Sequence, residues 1–131
     1  MSQRILIIDD SLALHKLIEV HLSSCDVELE SVFDGESGVA AAAKLRPALI
    51  LLDVEMPGID GLETCRRLKA GRDTADIPVI FLTADINKDK RLQALHLGAL
   101  DYVTKPFKPS ELRAKVTALL RMQRQLEEAA N

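Results

Sequence analysis

The feature that most constrains this chain is a repeated change in the period of its hydrophobic residues. Ile5-Leu6-Ile7-Ile8, Leu49-Ile50-Leu51-Leu52 and Val79-Ile80-Phe81-Leu82 contain no polar residue. Uninterrupted apolar runs of this length, bounded by turn residues, suit strands buried on both faces. Val27–Phe33 alternates instead and suits a strand near a sheet edge, and Asp101-Tyr102-Val103 is a short fifth candidate. Between these runs lie longer stretches of helical period. The first carries Leu14, Leu17, Ile18 and Leu22 on one predicted face, and the second is Ala-rich and stops before Pro47. A third helix is predicted from about Gly61 to Ala70 and a fourth from about Lys88 to Leu97. The last starts at Pro109 or Ser110 and carries Leu112, Val116, Leu119 and Leu120.

Strict alternation of five strands with five helices predicts an α/β fold, a parallel sheet covered on both faces. The 131 residues, 47% hydrophobic and 28% charged, fit one globular domain. No apolar run approaches the roughly 20 residues of a membrane helix, and no signal-peptide pattern opens the chain. The expectation is a cytoplasmic protein with no membrane partner. A net charge of −3 argues against direct nucleic-acid binding. Cys25 and Cys65 form no CxxC pair and are expected to be reduced thiols.

In an open parallel sheet, ligands sit outside the carboxyl ends of the strands. The polar residues there are few: Asp9 and Asp10 after strand one, Asp53 after strand three, Thr83 after strand four and Lys105 after strand five. Three carboxylates in one place repel. Two unit charges 4 Å apart cost on the order of 4 kcal/mol at an effective dielectric of about 20. A divalent cation offsets this, and oxygen ligands without His or Cys favour Mg²⁺ over Zn²⁺. An acidic set beside a lysine and a hydroxyl suits phosphoryl chemistry, with Asp53 a competent nucleophile.

Four segments carry a resemblance over essentially the whole chain. They are Ile7-Ile8-Asp9-Asp10-Ser11, Leu51 to Gly61 with Asp53-Val54-Glu55-Met56-Pro57-Gly58 at its centre, Phe81-Leu82-Thr83-Ala84 and Lys105-Pro106-Phe107. In order, and at strand ends, they resemble the receiver domains of bacterial two-component response regulators. The resemblance implies a doubly wound (βα)5, flavodoxin-like three-layer sandwich with strand order 2-1-3-4-5. That order is implied by the resemblance and not by the alternation alone.

The resemblance also implies roles. Asp53 would accept a phosphoryl group from a histidine kinase or phosphotransfer protein. Asp10, Asp53 and the backbone carbonyl of Glu55 would hold Mg²⁺, with Asp9 acting partly through water. Thr83, Ala84 and Lys105 would bind phosphate, and Tyr102 would be an aromatic switch acting on the surface of the fourth helix, fifth strand and fifth helix. The Lys105-Pro106 peptide would be cis. The side chains of Glu55 and Asp85, flanking the pocket mouth, would tune hydrolysis of the phospho-aspartate.

Plainer roles compete at each position. Asp10 is a good helix N-cap, Thr83 an ordinary strand residue, Lys105 a surface charge, and Tyr102 a fixed core residue. His15, His21 and His96 lack metal-ligand spacing and suit packing or surface roles. Arg66-Arg67-Leu68-Lys69 suits a solvated helix face, and Cys65 a core position. Leu112, Val116, Leu119, Gln123, Leu126 and Ala130 follow a 4-3 spacing, a short coiled-coil-like seam. The predicted organisation is therefore a receiver over 1–120 and a helix extension over 121–131. That extension would lead to an output domain, such as a diguanylate cyclase, or to a homodimer. A chain of this kind is not an enzyme beyond its own phosphorylation and dephosphorylation. A phosphate-independent interaction module is one alternative. A Mg²⁺-dependent phosphohydrolase is disfavoured because Asp-x-Asp is missing after strand one. A nucleotide or flavin site is disfavoured because neither G-x-G-x-x-G nor a Walker A pattern is present.

Overall fold

The computed structural model describes residues 3–84 and 88–130. The elements alternate as β1 (Gln3–Ile8), α1 (Leu12–His21), β2 (Val27–Val32), α2 (Gly35–Leu45), β3 (Leu49–Asp53), α3 (Gly61–Ala70), β4 (Val79–Thr83), α4 (Lys88–His96), β5 (Asp101–Thr104) and α5 (Pro109–Ala130). All strand pairs are parallel, in the order β2-β1-β3-β4-β5. The three wholly apolar runs lie in the three central strands, and β3 and β4 are buried at every position. The alternating run forms edge strand β2, in which Val27, Leu29 and Val32 are half-buried and Glu28, Glu30 and Ser31 are exposed.

The two-residue period of a strand sends alternate side chains to opposite faces. Ile5, Ile7, Leu49, Leu51, Ile80 and Leu82 enter one core, with Ile18 from α1 and Leu112 and Val116 from α5. Leu6, Ile8, Ile50, Leu52, Val79 and Phe81 enter the other, with Ala42 from α2 and Cys65 and Leu68 from α3. The cysteines are unpaired.

Helix starts are set by side-chain caps. Ser11, Asp34 and Asp60 each accept a hydrogen bond from the backbone N–H three residues on. The cap of α1 is therefore Ser11 and not Asp10, which leaves Asp10 for other work. The predicted apolar face of α1 also needs correction. His15 and Ile18 are its buried residues, whereas Leu17 is 44% exposed. The helix turns a histidine inward because both ring nitrogens find partners there.

α5 runs without a break past residue 120. Leu112, Val116 and Leu119 of the expected seam are spent on the domain's own core, and Leu126 stands exposed beyond it. Gln3 ties the base of this helix to β1, donating to the Leu120 carbonyl at 3.0 Å and accepting from Arg124 at 3.2 Å. Among the described residues, no helix is long and apolar enough to cross a membrane.

Candidate phosphoacceptor site

The sheet order decides which strand ends become neighbours. β1 and β3 are adjacent, with Ile8 opposite Leu52, so Asp9 and Asp53 emerge side by side. β4 lies against β3 with Leu82 opposite Asp53, and β5 against β4 with Thr104 opposite Thr83. Positions far apart in sequence thus converge on one edge. Asp9 is fully buried, Asp53 and Thr83 are each 6% exposed, and Asp10 faces solvent. Carboxylate oxygens of Asp9, Asp10 and Asp53 all lie within 4.8 Å of one another.

Lys105, which reaches into this cluster, is joined to Pro106 by a cis peptide. Its Nζ donates to Asp9 Oδ2 at 3.0 Å and to Asp53 Oδ1 at 3.1 Å. One ammonium against three carboxylates leaves the site negative. Burial raises the Asp53 pKa above the ordinary carboxylate value, the Asp9 charge raises it further, and Lys105 offsets only part of this. For Lys105, burial pulls downward, but the hydrogen bond to Asp9 and the charges of Asp53 and Asp9 outweigh it, so its pKa stands above the usual lysine value.

The loop after β3 is pressed against Asp53. The Glu55 N–H points at Asp53 Oδ1 at 3.4 Å, and the Gly61 N–H donates to the Val54 carbonyl at 2.7 Å. A Cβ at position 61 would overlap the Asp53 carbonyl oxygen and lie 2.6 Å from Val54 Cα, so this site is built on the absence of a side chain. Glu55 and Ala84 are exposed at the rim, whereas Asp85 lies outside the described residues.

Tyr102 stands beside Phe81 in the β4–β5 register, half-buried. Its hydroxyl accepts from Arg91 at 2.9 Å, and Arg91 and Lys115 approach its ring with charges 5.3 and 5.5 Å from the centroid. Neither cation is marked by any local sequence pattern. Asp9 is more constrained than the sequence indicated: its Oδ1 accepts from the Ser11 N–H at 2.8 Å while Oδ2 holds Lys105. Ser11 as the cap was recoverable, since serine caps as well as aspartate does. Of the histidines, His15 is buried, His21 lies edge-on to Phe107 at 5.9 Å, and His96 is exposed. Arg66 and Arg67 lie on a solvated face, both paired with Glu63.

The cluster offers oxygen donors and no nitrogen or sulfur. Such a set fits a hard divalent cation of the Mg²⁺ class and suits neither zinc nor copper.

Comparison with known proteins agrees with this geometry. The response regulator receiver domain family matches residues 5–117. Relatives include the DNA-binding dual master transcriptional regulator RpaA of Synechocystis, 42% identical over 97% of this chain and 53% of that protein. The response regulator PleD of Caulobacter vibrioides is 41% identical over 98% of this chain and 28% of its own length. The chain thus spans about half the length, or less, of these curated relatives. A putative response regulator from Chloroflexus aurantiacus superposes with a TM-score of 0.87 at 30% identity, over 92% of this chain and 99% of that one. The receiver domain of a Pseudomonas aeruginosa sensor histidine kinase, described with a magnesium ion coordinated in the active site cleft, gives 0.83 at 32%, over 92% and 98%. Acids at the ends of β1 and β3, a lysine after β5, the 2-1-3-4-5 sheet and these matches lead to one conclusion: the chain belongs to the receiver domain family of two-component response regulators.

Proposed function

We propose that this receiver is switched by phosphorylation of Asp53 in a Mg²⁺-dependent reaction with a histidine kinase or phosphotransfer protein. The observation that carries the reading is the Lys105 ammonium held between Asp9 and Asp53 in a site that remains net negative. Asp9, Asp10, Asp53 and the Glu55 carbonyl would hold Mg²⁺, which when bound would offset the negative charge of the acidic site and of an incoming phosphoryl group. An Asp53 carboxylate oxygen attacks phosphorus, and the bond to the donor imidazole breaks. Lys105, Thr83 and the loop at Ala84 then hold the phosphoryl oxygens. Leu12, in the first turn of α1 after Asp10, and Leu17 are exposed and offer a donor helix apolar surface.

Phosphorylation replaces the Asp53 carboxylate charge by an acyl phosphate carrying about −1.5 to −2 and three acceptor oxygens, a net gain of roughly one negative charge. It favours whichever conformation places more donors around it. Thr83 moves toward phosphate in this reading, and Tyr102 exchanges its contacts with Arg91 and Lys115 for an inward position. The surface of α4, β5 and α5 changes accordingly. Glu55, exposed at the rim, tunes phosphate loss in this reading, and so does Asp85. The domain acts only on its own phosphorylation state. Residues 121–131 serve as a link to an output segment, an assignment supported by the greater length of the curated relatives and the exposed Leu126. The relatives' names include the DNA-binding regulators RpaA and MtrA as well as the response regulator PleD. The negative charge of this stretch therefore speaks only to its own contacts and not to those of an output segment.

The test is an amide NMR spectrum with Mg²⁺ and beryllofluoride, which mimics a phosphoryl group on a carboxylate. Shifts at residues 53–55 together with α4, β5 and Tyr102 are expected. Shifts confined to the acidic site would remove the switch from the reading, and no shifts at all would remove the phosphoacceptor.

A further inference from the structure

Every polar atom of Asp9 is held. Its N–H donates to the Val32 carbonyl at 3.2 Å, Oδ1 accepts from Ser11 and Oδ2 from Lys105. Its carbonyl oxygen accepts from His15 Nε2 at 2.7 Å, and the other ring nitrogen, Nδ1, is 2.9 Å from Ser31 Oγ. A carbonyl only accepts, so Nε2 carries a proton, and the Ser31 hydroxyl can satisfy Nδ1. The ring packs against Phe33, tilted by 48° with centroids 4.5 Å apart. Beside the ring, between α1 and β2, lies a cavity of about 360 Å³ that it lines with Ser31, Glu19 and Cys25. The imidazole is 4% exposed, and the two hydrogen bonds fix its orientation within that packing.

The carbonyl that His15 holds belongs to the peptide joining Asp9 to Asp10. Its orientation sets the direction in which the two carboxylates leave the backbone. We infer that His15 is a positioning residue for the acidic site, fixing the Asp9-Asp10 peptide so that both carboxylates face a divalent cation, with Ser31 orienting the ring. The inference rests on the Mg²⁺ reading above and assigns this chain's own residues to it. Without the donor, a buried carbonyl is left unpaired and the peptide tilts to recover a partner. Partners one step behind the ligands usually change metal affinity by about tenfold or more.

The experiment measures Mg²⁺ affinity by calorimetry, together with exchange of the Ser11 amide proton in metal-free protein, for the parent chain, His15→Leu, His15→Gln and Ser31→Ala. Glutamine keeps an N–H donor at a reach similar to Nε2, and leucine fills the space without one. Expected are about tenfold weaker Mg²⁺ binding and faster Ser11 exchange in His15→Leu. His15→Gln should stay near the parent, and Ser31→Ala should fall between them. A purely structural role would lower the melting midpoint of His15→Leu and leave its Mg²⁺ affinity unchanged, and that outcome overturns the inference. So does a His15→Gln variant as weak as His15→Leu. If His15→Leu does not fold, Ser31→Ala decides: weakened Mg²⁺ binding supports the assignment, and parent-like binding overturns it. A parent chain that binds no Mg²⁺ overturns the metal reading itself. Slowed Ser11 exchange in that parent, lost in His15→Leu, would then show the loop-fixing role apart from the metal.

Discussion

Gly58 in the loop after β3 and Gly61 at the start of α3 give opposite reasons for being glycine, and substituting each by alanine separates them. A Cβ on Gly61 would meet backbone on β3, 2.6 Å from Val54 Cα and 2.8 Å from the Asp53 carbonyl carbon, where ordinary contact begins near 3.4 Å. Backbone has no flexible end to swing aside, so α3 and the end of β3 must part by at least roughly 0.8 Å to clear Val54 Cα, and by more to clear the Asp53 carbonyl oxygen. That costs about 1–3 kcal/mol for overpacking and about 1 kcal/mol for the strained Gly61 N–H bond to Val54. The expected total of about 2–4 kcal/mol lowers Tm by about 10 °C in a domain of this size. The displaced backbone carries Asp53, so phosphorylation slows as well. At Gly58 nothing lies within 4 Å, but φ is +79°. Alanine there costs only the left-handed backbone energy, about 1 kcal/mol after its gain from a stiffer unfolded chain. Thermal melts of the two variants, with phosphorylation time courses, test this. A Gly61→Ala variant as stable as its parent, or a Gly58→Ala variant as damaged as Gly61→Ala, would refute the close-approach argument.

Further expectations concern charge and switching. Because burial and Asp9 raise the Asp53 pKa, the stability attached to that group is present below the unfolded value of 3.8 and is lost as pH rises through the higher folded value. Without metal, Asp53→Asn should therefore exceed the parent in stability at pH 8 and approach it near pH 4, as read by urea melts. A parent more stable than the variant at pH 8 would contradict the sign. Mg²⁺ at a hundred times its Kd should stabilise the parent by about 2.7 kcal/mol, and Asp10→Asn should remove most of that gain in a melt with Mg²⁺. Thr83→Ala should still take up phosphate but lose the accompanying change in the Tyr102 signals. An unchanged Tyr102 response would exclude Thr83 from the coupling.

Much of this site was legible because its residues terminate buried parallel strands, where a polar residue stands out against an apolar run. Asp9, Asp53 and Thr83 each follow such a run directly. What stayed hidden was pairing across the fold. Lys105 was identifiable as an inward cation, but nothing near it in sequence shows that Asp9, 96 positions away, is its partner along with Asp53. Helix faces were less secure. On α1, hydrophobicity favoured Leu17, whereas a histidine with both nitrogens satisfied is buried in preference to an unneeded leucine. On α5 the 4-3 spacing was real, but the same spacing serves a core stripe and a coiled-coil seam, and Leu112 and Val116 show that the core uses it first.

The central claim is that Asp53 accepts a phosphoryl group in a metal-assisted site, and intact mass measures it directly. The parent chain and Asp53→Asn are incubated with a small acyl-phosphate donor, with and without Mg²⁺. The account predicts the mass of one added phosphoryl group in the parent with Mg²⁺, and none without Mg²⁺ or in Asp53→Asn. Equal uptake by Asp53→Asn, or no uptake by folded parent protein that binds Mg²⁺, would contradict it.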